Sequence, residues 1–128
     1  MLHVILPIAF AGAMPYALTF VSKSRNFGFK ENHHVRVWQA ELTGWQQRAY
    51  WAHQNSFEAF PLFAIMTILA HMSQPANLVA AYAAWAFVAL RIGYAVAYLT
   101  DRATLRSVVW TCAMMAVVTE LLVALRIV

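Results

Sequence analysis

Charged side chains are scarce in this sequence. Only 11% of its 128 residues are Asp, Glu, Lys or Arg, whereas 62% are hydrophobic. A soluble domain has about 25% charged residues, so this composition excludes an ordinary soluble fold and predicts a protein that lies among membrane lipids. It also argues against nucleic-acid binding, which requires an exposed basic face.

Cysteine is almost absent as well. The one cysteine, Cys112, lies in an apolar run, so no disulfide framework or zinc-ribbon spacing exists, and we interpret it as an apolar packing residue. The adjacent residues His33 and His34 would point about 100° apart on a helix. We therefore predict no metal site.

Long segments with very few charges fill most of the chain. They predict four transmembrane helices in a single domain, residues 1–128, at about 1–21, 48–71, 76–99 and 106–125. At about 1.5 Å per residue, each segment can cross a hydrocarbon layer of about 30 Å. The predicted fold class is an all-α membrane protein built as a four-helix bundle. Pro7 and Pro15 predict a bent first helix, and the apolar spacing of residues 35–45 predicts a short helix at the membrane interface.

The basic residues lie on one side of this bundle. Two connections share that side, and they carry seven of the nine Lys and Arg residues: Lys23, Arg25, Lys30, Arg36, Arg48, Arg102 and Arg106. By the positive-inside rule these connections are cytoplasmic, so both termini lie on the non-cytoplasmic side. We expect a multi-pass integral membrane protein.

Three polar residues lie within the predicted spans at similar depth. Asn55 and Glu58 share one face of the second helix, about 10 and 15 Å from its cytoplasmic end, and Arg91 lies about 12 Å inside the third. Sequential helices usually pack side by side, and charges inside a bilayer are cheapest when paired. The pattern predicts an ion pair between Glu58 and Arg91.

A polar pocket between helices, open toward the cytoplasm, follows from these positions. Its predicted lining is Arg48, Asn55, Glu58, Arg91, Tyr94, Tyr98, Arg106 and Ser107. Structural roles are the alternative: membrane-interface anchors for Arg48, Arg102 and Arg106, an ion pair fixing helix register for Glu58 and Arg91, and packing roles for Tyr94, Tyr98, His53 and Glu120. The pocket is favoured because these residues come from three helices and lie at the same depth on the same side of the bundle.

Two stretches of the sequence resemble the MAPEG family, the membrane-associated proteins in eicosanoid and glutathione metabolism. RAYWAHQNSFEAFPLF, residues 48–63, is similar to the family's second-helix signature, with Asn55 and Glu58 as its N-x-x-E pair. RIGYAVAYLTDRATLRS, residues 91–107, is similar to its Arg, Tyr and Tyr followed by a basic turn and Arg-Ser. Residues 31–49 look most like the bacterial members.

The resemblance implies a homotrimer that binds glutathione at subunit interfaces near the cytoplasmic side. Asn55, Glu58, Arg91, Tyr94 and Tyr98 would bind the tripeptide, with Glu58 at its α-amino end. Arg106 would stabilise the thiolate, although the varying length of the preceding turn leaves Arg102 as an alternative. The co-substrate would be a lipophilic electrophile entering from the lipid, and the reaction either conjugation or peroxide reduction.

One position departs from the family pattern. Glutathione-using members carry an Arg one turn before the Asn, whereas this chain has Trp51. Arg48, one turn below, is the candidate to supply the missing cation. A non-catalytic lipid- or thiol-binding scaffold of the same fold is therefore the alternative function. A small proton-coupled exporter is the third hypothesis. It is disfavoured because such exporters use a carboxylate on the first helix, and the first helix here has none.

Overall fold

The computed structural model describes residues 2–128, which form six helices and no strand. The helices are α1 (Leu2–Lys23), α2 (Phe29–His33), α3 (Val35–Ala40), α4 (Gly44–Ser73), α5 (Leu78–Leu99) and α6 (Ala103–Ala124). Of these, α1, α4, α5 and α6 are long and apolar enough to span a membrane. The predicted fold class, an all-α bundle of four membrane helices, is confirmed.

The segment before the second span differs from its prediction. The helix expected over residues 35–45 ends at Ala40 and is preceded by the separate helix α2. Gly44 has a φ of +61°, a left-handed conformation that glycine adopts without steric cost, and the chain turns there. Helix α4 therefore starts at Gly44 rather than at residue 48, and Trp45 belongs to it.

The centre of the bundle is a small aromatic core. The rings of Phe63 on α4 and Phe87 on α5 are stacked with centroids 3.9 Å apart and an interplanar angle of 7°, and both are fully buried. Alanines surround this pair at Ala59, Ala84 and Ala113. Small side chains let helices approach closely in membranes, where packing and not the exclusion of water drives association.

Helix α1 packs on α4 through small and polar contacts. The ring of Phe60 lies close to Gly12, where an added Cβ would stand 3.1 Å from two ring carbons. Nearer the loop end, His53 Nδ1 lies 2.7 Å from the Pro15 carbonyl oxygen and 2.7 Å from Thr19 Oγ1. A carbonyl only accepts, so Nδ1 carries the proton. His53 thus joins α4 to α1, consistent with a packing role.

Gln46 and Arg48, near the start of α4, form hydrogen bonds to the loop after α1 and to the end of α5. Gln46 Nε2 donates to the carbonyl oxygens of Ser22 and Arg25, at 2.8 and 2.9 Å. Arg48 donates from Nε and Nη2 to the carbonyl oxygen of Leu99, at 3.3 and 3.2 Å. This satisfies a carbonyl that the end of α5 leaves without an intrahelical partner, and it fixes the α5–α6 turn against α4.

Candidate functional site

The site is built around a buried arginine on α5. Arg91 is only 2% exposed, and its guanidinium donates from Nη1 to Asn55 Oδ1 and from Nη2 to Ser56 Oγ, each at 3.0 Å. Arg91 Cζ also lies 4.2 Å above the ring centre of Tyr94, whose electron-rich face attracts a cation. Two neutral side chains and an aromatic ring thus surround this cation.

The predicted ion pair between Arg91 and Glu58 is wrong. Among residues 2–128 the ion pair within 4 Å is that of Arg48 with Asp101. Asn55 lies three residues before Glu58 on α4 and accepts the hydrogen bond from the guanidinium in place of Glu58. The Asn55 Nδ2 in turn donates to Glu58 Oε2 at 3.3 Å. Because the Asn55 amide lies between Arg91 and Glu58, the Glu58 carboxylate stays exposed at the surface of the bundle.

Aromatic rings and a second arginine continue the site along α5 and α6. Tyr94 and Tyr98 contact edge to face, with ring centroids 5.4 Å apart. Arg106 Cζ lies 4.5 Å over the ring of Tyr98, and the indole of Trp51 approaches the same ring at 6.4 Å. The half-buried Arg106 guanidinium makes no hydrogen bond or ion pair to another side chain within residues 2–128.

Two adjoining surface grooves result from this arrangement. The first, of about 410 Å³, is lined by Trp51, Gln54, Asn55, Glu58, Tyr94 and Tyr98. The second, of about 450 Å³, is lined by Asn55, Tyr94, Arg106, Ser107, Trp110 and Thr111. Asn55 and Tyr94 belong to both, so they form the ridge between a groove with a carboxylate and a groove with a cation.

Most of the predicted site residues meet here. Asn55, Glu58, Tyr94 and Tyr98 line the first groove, whereas Arg106 and Ser107 line the second. Arg91 lies behind the ridge and touches the site through Asn55 and Tyr94. Ser107 Oγ donates to the Ala103 carbonyl oxygen within its own helix, at 3.2 Å.

The predicted place of Arg48 in the lining is wrong. Its guanidinium is directed to the Leu99 carbonyl and lies 3.7 Å from Asp101 Oδ2, and neither groove includes it. The end of α5 leaves free carbonyls that attract a cation, and this partner holds Arg48 away from the grooves. The Arg48 guanidinium therefore does not enter the groove beside Trp51.

Three lining residues escaped the sequence reasoning. Gln54 directly precedes Asn55, and its Nε2 donates to Tyr50 Oη at 3.2 Å. Trp110 and Thr111 follow Arg106 by four and five residues, so one further turn along α6 would have found them. Within residues 2–128, no group of three or more His, Cys, Asp or Glu could hold a metal ion.

Comparison with known proteins agrees with this architecture. The model of the MAPEG family matches residues 3–126 of the chain, almost its whole length. No curated protein and no solved structure matches the chain. The four apolar helices and the family match together make this an integral, multi-pass membrane protein linked to glutathione and eicosanoid metabolism. The chain belongs to the MAPEG family.

Proposed function

We propose that this protein is a glutathione-dependent transferase or peroxidase that acts on lipophilic electrophiles. The observation that carries the proposal is the Arg106 guanidinium, which faces the second groove from above Tyr98 without a side-chain partner. A positive charge fixed in a partly apolar groove is poised for an anion. A thiolate, formed from a small thiol, is the anion that the family's chemistry suggests.

The first groove suits the charged ends of a tripeptide. The exposed Glu58 carboxylate is available to an ammonium group, and its geometry is fixed by the bond from Asn55. Tyr94 and Tyr98 offer hydroxyl groups and ring faces. Arg91 contributes indirectly, because its bond to Asn55 Oδ1 orients the amide that in turn orients Glu58.

Arg106 would then activate the thiol. A guanidinium stays charged at any relevant pH, so it favours the thiolate over the neutral thiol. The thiol proton passes to water and the sulfur electron pair attacks the electrophile. In conjugation a sulfur–carbon bond forms while a leaving group departs with the electron pair of its bond to that carbon, or while the π electrons of an activated double bond move to the neighbouring carbon, which takes a proton from water. With a hydroperoxide the O–O bond breaks: the sulfur takes the terminal OH and becomes a sulfenic acid, and the alkoxide takes a proton from water and leaves as an alcohol. Thiolate stabilisation and positioning together supply the catalysis.

Both grooves are open on the side of one chain, which supports a homotrimer. A small-molecule site normally covers about 70–90% of its ligand's surface, and an open groove on one subunit covers less. A neighbouring copy packed against α4 and α5 would close the first groove. The resemblance of residues 31–49 to bacterial members suggests a bacterial inner membrane. The positive-inside distribution supports grooves at the cytoplasmic end and both termini outside.

The electrophile would reach the second groove from the lipid. Trp110 and Thr111 continue this groove along α6 toward the bilayer centre, one turn beyond Arg106. Exposed apolar side chains of the same helix, including Val108 and Met115, face outward. A hydrophobic substrate dissolved among acyl chains would therefore meet the sulfur without entering water.

The test is thiolate formation on the purified protein in detergent. Glutathione is added, and the ultraviolet absorbance of the thiolate is compared for the wild type, Arg106→Ala and Arg102→Ala. Arg102 is the matched control, because it is an exposed arginine four residues earlier, at the N-terminal boundary of α6. We expect Arg106→Ala to abolish the signal and Arg102→Ala to retain it.

Two results would overturn parts of this proposal. If Arg102→Ala loses the thiolate signal while Arg106→Ala retains it, Arg102 is the residue that stabilises the thiolate. Glutathione binding without any thiolate would favour the second candidate, a non-catalytic scaffold that binds lipids or thiols. The observation favouring that candidate is Trp51, an apolar side chain in the first groove, whose lining among residues 2–128 includes no lysine or arginine.

A further inference from the structure

A second polar cavity lies at the opposite end of the bundle from the two grooves. There α1 and α5 begin while α4 and α6 end. The cavity encloses about 10 Å³, and its polar lining comprises His3, Thr67, His71, Gln74, Asn77 and Glu120. None of these residues contributes to the grooves, so this cavity needs an explanation of its own.

Glu120 is the unusual member of the cavity. Its side chain is fully buried, at 0% exposure. Oε1 accepts a long hydrogen bond from Thr67 Oγ1 at 3.4 Å, and Oε2 has no partner within residues 2–128. A buried carboxylate with one weak donor is costly as an anion, and such groups are either paired or neutralised.

Among residues 2–128, no lysine or arginine lines the cavity around Glu120. From α4 the groups facing the cavity are Thr67 and His71; α1 contributes His3, and α5 contributes alanines at 80, 81 and 84. Arg126, the nearest cation along the chain, is directed elsewhere, because its Nε donates to Ser73 Oγ at 3.2 Å and its Nη2 to the Ser73 carbonyl at 3.3 Å. The histidines are thus the titratable neighbours of Glu120.

The size of the cavity limits what it can hold. A volume of about 10–15 Å³ admits one water molecule, provided that two or more polar groups surround it. Glu120 Oε2 and the amide and imidazole groups of the lining meet that requirement. An organic ligand does not fit, and a transition metal lacks a ligand set in residues 2–128.

Two imidazoles line the cavity beside Glu120. The rings of His3 and His71 contact edge to face with centroids 5.5 Å apart. Neither ring has a hydrogen-bond partner among the described residues, and exposure rises from the half-buried His71 to the exposed His3. An imidazole ring has two nitrogens, through which it can both donate and accept a hydrogen bond.

We propose that Glu120 is a proton-binding site that exchanges with solvent at the end of the bundle holding both termini. A proton from bulk water passes by way of His3 or His71, both of which line the cavity, and one cavity water to Glu120 Oε2. There it forms the O–H bond of a neutral carboxylic acid. Release reverses these steps, and no other bond changes. The site is independent of the proposed thiol chemistry.

Infrared difference spectroscopy tests the proposal directly. The carbonyl stretch of a protonated carboxylic acid is measured on the wild type and on Glu120→Gln, then followed after transfer to D₂O. We expect an acid band at neutral pH that is lost in Glu120→Gln and that shifts promptly in D₂O. The double variant with His3→Phe and His71→Phe keeps the ring contact without the nitrogens. It should retain the band but slow its exchange by about tenfold or more, which corresponds to about 1.4 kcal/mol of added barrier.

Controls separate this proposal from the alternatives. His34→Phe, at the other end of the bundle, should leave band and exchange unchanged. The histidine variants keep Glu120, so the exchange measurement does not depend on the folding of Glu120→Gln. Three outcomes would overturn the proposal: no acid band at neutral pH, a band that disappears when NaCl replaces choline chloride at constant pH, or exchange that is unaffected by the histidine substitutions.

Discussion

Arg91 and Glu58 are joined through Asn55, whose side-chain oxygen accepts from the arginine while its nitrogen donates to the carboxylate. This bridge fixes the orientation of the amide, because the arginine can only donate and the carboxylate accepts. It also leaves Glu58 at the edge of the first groove instead of burying it against Arg91. A neutral side chain between two opposite charges thus keeps one charge buried and the other accessible.

Replacing Asn55 tests this bridge. In Asn55→Ala the guanidinium of Arg91 retains Ser56 but loses its other acceptor, and a lost hydrogen bond to a charged group costs about 1.5–3 kcal/mol. We expect a corresponding loss of stability in thermal unfolding in detergent, together with weaker glutathione binding. Gln54→Ala, in the same groove, should change stability by less than about 0.5 kcal/mol. Equal losses in the two variants would contradict the bridge.

Arg48 is expected to act on stability and not on the ligand. Arg48→Ala removes both bonds to the Leu99 carbonyl and should lower the unfolding temperature, while the glutathione affinity stays that of the wild type. Asp101→Asn should have a smaller effect, because the exposed ion pair at 3.7 Å contributes at most about 1 kcal/mol. Calorimetry of binding together with thermal unfolding separates the two properties. A large fall in glutathione affinity for Arg48→Ala would contradict this prediction and show that Arg48 contributes to ligand binding.

Trp51→Arg is expected to strengthen glutathione binding. The indole lies beside Tyr98 in the first groove, and an arginine there would place a guanidinium within reach of a ligand carboxylate. A charge-assisted bond of about 1.5 kcal/mol corresponds to roughly tenfold in affinity. Trp51→Phe preserves the apolar surface and should leave affinity unchanged. If Trp51→Arg binds no better than the wild type, the ligand has no carboxylate near this position.

Gly12 is expected to tolerate a methyl group less well than Gly93. A Cβ at Gly12 would stand 3.1 Å from two carbons of the Phe60 ring, whereas at Gly93 its nearest contact is Val109 Cγ1 at 3.6 Å. Both substitutions gain helix propensity of up to about 1 kcal/mol, but only Gly12→Ala must displace an aromatic ring. We therefore expect Gly93→Ala to have a higher unfolding temperature than Gly12→Ala. The reverse order would mean that Phe60 moves at little cost.

Composition and periodicity were enough to predict the membrane helices and most of the site. Apolar runs broken by few charges define the spans, and a helical repeat puts Asn55 and Glu58 on one face. Tyr94 and Tyr98 follow Arg91 at spacings that also share a face, which is why they were found together. The shared faces are local properties of single helices, and only their meeting at one site required the assumption that sequential helices pack side by side.

The partners of long side chains were harder to predict. Arg91 can reach either Asn55 or Glu58, because residues three apart lie on the same helix face; the rotation of α4 against α5 decides between them. Arg48 has two possible directions, into the groove or toward the end of α5, and the free carbonyl of Leu99 exists only once α5 ends there. Both choices depend on tertiary structure.

Because the helices differ in length, the acyl-chain length of the surrounding lipids is expected to affect the shape of the first groove. Helices α1, α5 and α6 have 22 residues each, whereas α4 has 30, so at 1.5 Å per residue the shorter three match a layer of about 33 Å. A thinner bilayer creates hydrophobic mismatch, which helices relieve by tilting. Tilt of α5 against α4 would shift Tyr94 and Tyr98 relative to Asn55 and Glu58. Lipids with short chains would thereby reshape the first groove without touching it.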